Sequence, residues 1–272
     1  MLKITSRDNQ RLKFARKVGG GRVEDAVFVE GLRLAEEVLR TELKIFDVLF
    51  TENFRRTERG QKFLQTIEKK LTPPAEVSEN IFNSLSNTKT SQGIIVIAAK
   101  PVTGKNIIEA NLQKRERRLP LFILLYQINN PSNLGAILRT AEAVDISGVI
   151  LTENSADVFS PKALRGAMGA SFRLPIWTNA DFFEVLTWSK EKNLISISAD
   201  INAKKSYLEI DWKKPRLLIF GSEAHGLSAK ERGEIDENLI VPMENNVESL
   251  NLAVSCGVIL FEAKRQFSQV KS

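Results

Sequence analysis

The sequence predicts an α/β protein in two parts: a smaller, basic amino-terminal α/β unit and a carboxyl-terminal unit built on a parallel sheet. Three observations predict it. From Leu119 onward, short and almost wholly apolar segments alternate with helical ones, the pattern of parallel strands covered on both faces. Before that, a separate β-α-β pattern closed by a strong strand, Gly93 to Ala99, fills a stretch of ordinary domain size. Between the two stands the Pro/Gly break Lys100-Pro-Val-Thr-Gly-Lys105, followed by the hydrophilic run Lys114-Arg-Glu-Arg-Arg118. The expected boundaries are residues 1–100 for the first domain, 101–118 for a linker and 119–272 for the second domain.

Asn9 to Lys17 reads as a short basic helix, broken by Gly19-Gly20-Gly21, and Ala26 to Val29 as a strand. Gly31 to Arg40 places Leu32, Ala35, Val38 and Leu39 at helical spacing, and Ile45 to Phe50 is again strand-like. A polar helix from Gly60 to Leu71, a turn at Pro73-Pro74 and a helix from Ser78 to Leu85 lead into the strand that ends at Ala99. In the second part the expected strands are Leu121 to Ile128, Gly148 to Leu151, Leu194 to Ala199, Arg216 to Phe220 and Leu239 to Val241.

Composition narrows the function classes. With 272 residues and 43% hydrophobic content the chain can bury a substantial core, so disorder is excluded as a default. A single cysteine, Cys256, sits in an apolar stretch and can form no disulfide within the chain. No signal pattern opens the sequence and no apolar run could cross a bilayer, so a soluble cytoplasmic protein without membrane contact is expected. The net charge of +6 is unevenly spread: residues 1–118 carry 23 Lys and Arg against 15 Asp and Glu, the remainder 16 against 18. Its densest part, with Arg7, Arg11, Lys13, Arg16 and Lys17, is the footprint of a binder of nucleic-acid phosphates, although a solvated helix face would look the same.

Three segments carry candidate chemistry. Asn130-Pro-Ser-Asn-Leu-Gly-Ala-Ile-Leu-Arg-Thr140 lies between a strand and a helix that Ser132 or Asn133 can cap, with Arg139 aimed at the sheet mouth where parallel strands place ligands. Ile219-Phe-Gly-Ser-Glu-Ala-His-Gly-Leu-Ser228 follows an apolar strand. There Gly221 and Gly226 permit close backbone approach and Glu223 supplies a carboxylate. His225 is the sole histidine, no partner exists for a zinc site, and a turn residue is expected rather than a base. Leu239 to Val254 is a strand, a polar loop with Asn245-Asn246, and a helix opening with Ser249, Leu250 and Asn251. Such a concentration of hydrogen-bonding groups suits a ligand with an adenine, a ribose and an amino-acid tail.

In this order, the three segments resemble the signature of the SpoU/TrmH family of RNA ribose methyltransferases within the SPOUT superfamily, over residues 119–266. The amino-terminal part is similar to that family's substrate-binding domain, best at Phe28-Val-Glu-Gly-Leu-Arg33. The resemblance implies a deep trefoil knot near the carboxyl terminus and S-adenosylmethionine held there through Gly221, Val241, Met243 and Leu250, largely by backbone atoms. It implies a homodimer in which Arg139 of one subunit acts beside the other's cofactor. It casts Arg139 as the group that activates the 2′-hydroxyl or holds the adjacent phosphate, with Asn133, Glu223, Ser249 and Asn251 orienting it. A guanidinium is a poor proton acceptor, so clamping phosphate is physically easier. Structured RNA, ribosomal RNA above all, is the expected substrate, and no metal is needed.

Ser160-Pro-Lys-Ala-Leu-Arg165 places Lys162 and Arg165 three apart on a helix, where both can meet RNA phosphate or simply face solvent. A dinucleotide-binding dehydrogenase is disfavoured because no Gly-x-Gly-x-x-Gly opens a helix. The remaining rivals are a transfer-RNA methyltransferase and a non-catalytic RNA-binding ribosome-assembly factor.

Overall fold

The computed structural model describes residues 2–68, 73–88, 90–114, 119–245 and 247–268. The chain divides into two compact units, residues 1–101 with 158–173, and residues 102–157 with 174–272. Residues 115–118 of the hydrophilic run, Leu71 and Asn246 lie outside the described residues.

The first unit runs β1 (Leu2–Ile4), α1 (Gln10–Gly19), β2 (Ala26–Glu30), α2 (Leu32–Leu39), β3 (Ile45–Phe50), α3 (Glu52–Arg56), α4 (Glu58–Glu68), β4 (Ala75–Val77), α5 (Glu79–Asn83) and β5 (Ile94–Ala99). Its sheet has the order β1-β4-β3-β5-β2. Strand β5, Ile-Ile-Val-Ile-Ala-Ala, is β-branched where the sheet is most enclosed, and pairs antiparallel with both β2 and β3. The α1 helix starts where the Asn9 side chain accepts the Arg11 amide, and Leu12, Ala15 and Val18 turn to the core while Lys13, Arg16 and Lys17 face outward. Strands β1 and β4 and helix α3 were not expected, because three to five residues carry no readable period.

The second unit continues with α6 (Lys105–Lys114), β6 (Leu121–Leu125), α7 (Pro131–Val144) and β7 (Gly148–Thr152). Next come α8 (Pro161–Ala167) and α9 (Ala170–Arg173), both within the residues grouped with the first unit. It resumes with β8 (Ile176–Ala180), α10 (Phe182–Glu191), β9 (Ile195–Ala199), β10 (Arg216–Phe220), α11 (Ala229–Gly233), β11 (Glu237–Leu239) and α12 (Leu252–Ser268). Six strands in the order β11-β9-β10-β6-β7-β8 pair entirely in parallel. The chain builds outward from β6 to β8, then returns to lay β10 against the other side of β6. That reversal creates a crevice at the carboxyl ends of β6 and β10, the place where open α/β sheets receive ligands.

The linker expected over 101–118 is corrected in part. Lys105–Lys114 is a helix whose Ile108 is buried among Phe122, Trp177 and Trp188, and Glu109 accepts the Trp188 indole N–H at 3.2 Å. Its apolar residues are few, so the helix looked hydrophilic in sequence. Strand β8 was missed because Thr178 and Asn179 interrupt its apolar run. The last strand was placed two residues late: Leu239 ends it, and the apolar Ile240-Val241 belongs to the loop beyond.

Candidate functional site

A cavity of about 890 Å³ opens in the second unit. Four strand ends supply its walls: Asn130 and Asn133 after β6, Ala199 to Asn202 after β9, Phe220 to Leu227 after β10, and Leu239 to Met243 after β11. Glu248 to Leu252 and Ser255 complete the lining.

The first motif is organised by a cap. Asn130, rather than the expected Ser132 or Asn133, is the N-cap of α7, accepting the Ser132 amide at 2.9 Å, with Pro131 in the first turn. That leaves the Asn133 side chain free to reach across. Its amide nitrogen donates to Glu223, whose second oxygen accepts the Asn130 N–H at 3.1 Å. The Asn133 oxygen accepts from the Asn251 amide at 3.0 Å, while Asn251 uses its own oxygen to receive the Ala253 N–H at the start of α12. Residues 90 and 118 positions away from Asn133 are thus tied to it, and the three motifs meet in one polar network.

Gly221 is required by contact rather than by its dihedrals. A Cβ there would stand 2.6 Å from the carbonyl carbon of Gly226, because Ser222 and Gly226 exchange backbone hydrogen bonds of 3.1 and 2.9 Å across a tight turn. Gly226 itself has a φ of +63°. His225 sits at the tip, exposed, its backbone N–H on the Ser222 hydroxyl at 3.2 Å.

Among the described residues, the backbone N–H groups of Val241, Met243, Ser249 and Leu250 have no protein acceptor. Free donors lining a cavity of this size fit a ligand with several acceptor atoms. Asp200 and Arg232, a pair 3.3 Å apart on the rim, were not anticipated; the position of Asp200 directly after an apolar strand was the available signal. Also unforeseen is Tyr126, whose hydroxyl donates to Glu231. This bond, with burial, raises the phenol to about 12, and on Glu231 hydrogen bonds from Tyr126 and Ser228 outweigh burial and lower the carboxyl. Cys256 is buried in α12, where desolvation pushes its thiol up.

Of the expected site residues, Asn133, Gly221, Glu223, Val241, Met243, Ser249, Leu250 and Asn251 all line the cavity. Arg139 does not. It lies in the third turn of α7, exposed, with no ion-pair partner among the described residues. In the first unit, Arg7, Lys13, Arg16, Lys17 and Lys162 are exposed, whereas Arg11 is committed to Asp47. Arg165 is half-buried, with one guanidinium nitrogen enclosed and unpartnered among the described residues. Those residues hold no cluster of His, Cys, Asp or Glu suited to a metal, and no helix long and apolar enough to cross a membrane.

Known proteins share the sequence pattern and the fold. The SpoU rRNA Methylase family matches residues 120–261, and the family described as RNA 2'-O ribose methyltransferase substrate binding matches residues 28–104. The 23S rRNA (guanosine-2'-O-)-methyltransferase RlmB of Ralstonia nicotianae is 29% identical over 232 residues, 85% of this chain and 92% of that protein. An uncharacterized tRNA/rRNA methyltransferase of Synechocystis is 38% identical over 146 residues, 54% of this chain and 53% of that one. The crystal structure of an AdoMet-bound rRNA methyltransferase from Sinorhizobium meliloti superimposes with a TM-score of 0.81 at 25% identity, covering 97% of both chains. With more than half its length matched, and its three loops joined at one crevice, the chain belongs to the SpoU rRNA methylase family.

Proposed function

We propose that this protein methylates a ribose 2′-hydroxyl in ribosomal RNA, taking the methyl group from S-adenosylmethionine. The observation that carries it is the joining of Asn133, Glu223 and Asn251 by hydrogen bonds at a cavity whose lining backbone N–H groups at Val241, Met243 and Leu250 have no protein acceptor among the described residues. Those donors, at Val241, Met243 and Leu250, would hold the adenine and amino-acid ends of the cofactor, with the Gly221 turn packed against it. S-adenosylmethionine, when bound, supplies a methyl group on a cationic sulfur. The chain's own residues position the acceptor: Glu223 is fixed by Asn130 and Asn133, and Asn251, bonded to Asn133, would orient the incoming hydroxyl with Ser249 from the same cavity lining.

Arg139 completes the site from a second copy. It is exposed on α7, which packs along α12, and α12 presents Val254 and Phe261 to solvent one above the other. A homodimer formed on this face would cover that stripe and set Arg139 of the partner subunit to clamp the substrate phosphate. The same family membership supports a trefoil knot near the carboxyl terminus, and work in the cytoplasm is part of the same proposal. In the first unit, Arg7, Lys13, Arg16, Lys17, Lys162 and Arg165 are the RNA-facing cations, while Arg11 braces the fold. The RlmB relative directs attention to guanosines of 23S rRNA.

The test is incubation with labelled S-adenosylmethionine and total RNA, followed by ribose-methyl mapping. Label in ribosomal RNA is the expected outcome. Label confined to transfer RNA would redirect the substrate, and RNA binding without any transfer would make the chain a non-catalytic assembly factor.

A further inference from the structure

Strand β3 enters its sheet with an irregularity. Its pairing with β5 slips between Ile45 and Asp47, so Phe46 has no partner in the ladder. A bulge of this kind re-aims a side chain, and here it turns a phenylalanine out of a run whose other five residues are all buried. The exposed ring is not left loose. Phe14 of α1 meets it edge to face at 6.4 Å and 80°, and the Lys44 ammonium stands 5.6 Å from its centroid.

The next residue fixes this arrangement. Asp47, almost fully buried, receives the Arg11 guanidinium through Nε at 3.0 Å to each carboxylate oxygen, and Arg11 also donates to the Pro73 carbonyl at 3.3 Å. Arg11 and Phe14 are one turn apart on α1, so this ion pair holds the helix against β3 with Phe14 beside Phe46. Lys17, one turn further, is exposed and has no ion-pair partner among the described residues. An outward aromatic ring with Lys44 at its face, packed on a helix that carries Lys17 one turn beyond Phe14, combines a stacking surface with charges that attract phosphate.

We propose that Phe46 is a stacking platform for one unpaired base of the substrate RNA, with Lys44 and Lys17 taking the flanking phosphates. The proposal rests on the reading of this protein as an RNA methyltransferase and adds a base contact to its basic first unit. Packing on Phe14 accounts for the covered part of the ring, but not for an aromatic face left 36% exposed beside a lysine, where a smaller apolar residue would pack as well.

The probe is an RNA hairpin with 2-aminopurine in its unpaired loop, titrated into the full-length protein and into Phe46→Ala and Phe46→Trp. The wild type should quench the fluorophore. Phe46→Ala should bind about tenfold or more weakly with quenching lost, and Phe46→Trp should restore both. The slope of log affinity against log salt should stay as in the wild type for Phe46→Ala but fall for a Lys17→Gln, Lys44→Gln double variant. S-adenosylhomocysteine binding should be the same in every variant. Equal RNA affinity in Phe46→Ala and wild type, or no quenching by the wild type, overturns the platform. Label transfer to ribosomal RNA by the wild type separates that failure from failure of the methyltransferase reading.

Discussion

Tyr126 touches the loop after β10 at both ends. Its backbone N–H donates to Phe220 at 2.9 Å where the loop begins, and its hydroxyl donates to Glu231, which also accepts the Ser228 N–H at 2.6 Å where the loop ends. With its phenol raised from 10 to about 12, the protonated side chain is the form the fold prefers. Its stabilisation is therefore complete below about pH 10 and lost as pH rises through 12. Tyr126→Phe should cost about 1 kcal/mol in urea unfolding at pH 8 and flatten the alkaline decline. An unchanged decline would show that the hydroxyl is not the titrating group. Gly221→Ala should be harsher on the site: its Cβ, 2.6 Å from Gly226, forces the turn open. Calorimetry should then show S-adenosylhomocysteine bound about tenfold or more weakly, while thermal unfolding shows a loss of about 1–3 kcal/mol. Arg139→Ala should abolish turnover and largely spare cofactor affinity, and near-normal turnover would remove Arg139 from the mechanism.

At the level of elements, α12 does two things. One face buries Cys256, Ile259, Leu260 and Ala263, while another exposes Val254 and Phe261, seven residues apart. Such a stripe on a helix beside the cavity is where a second copy should dock. The double variant Val254→Asp, Phe261→Asp should sediment as a folded monomer, keep its circular dichroism and lose methyl transfer. A dimer that persists would place the interface elsewhere. Elements also show what could be read in advance. Strands Ile45–Phe50 and Arg216–Phe220 are legible at their observed bounds because each is short and dominated by apolar residues, with a single charged residue, Asp47 or Arg216, in it. The three motifs were legible as loops after strands, but spacing along α7 could not tell that Asn133 would face the cavity and Arg139 would not. That depends on how the helix is rotated about its axis, which the cap at Asn130 and the packing on α12 decide.

On the scale of the whole molecule, the basic amino-terminal segment and the cavity belong to different units. The cations concentrate early in the chain, and residues 158–173, though inserted between β7 and β8, group with that first unit. No local pattern could have announced this, since it is a matter of which distant surfaces meet. Reversing charge at Lys162 and Arg165 together should weaken RNA binding and lower its salt slope by about two. Unchanged binding would confine recognition to other surfaces. The crevice itself has one further consequence. Because its walls come from points between Asn130 and Ser255, no fragment ending before the final helix contains a complete pocket. During synthesis, a nascent chain must stay empty-handed until that helix clears the exit tunnel. Donor capture then selectively rewards finished molecules and resists unravelling of all those segments at once.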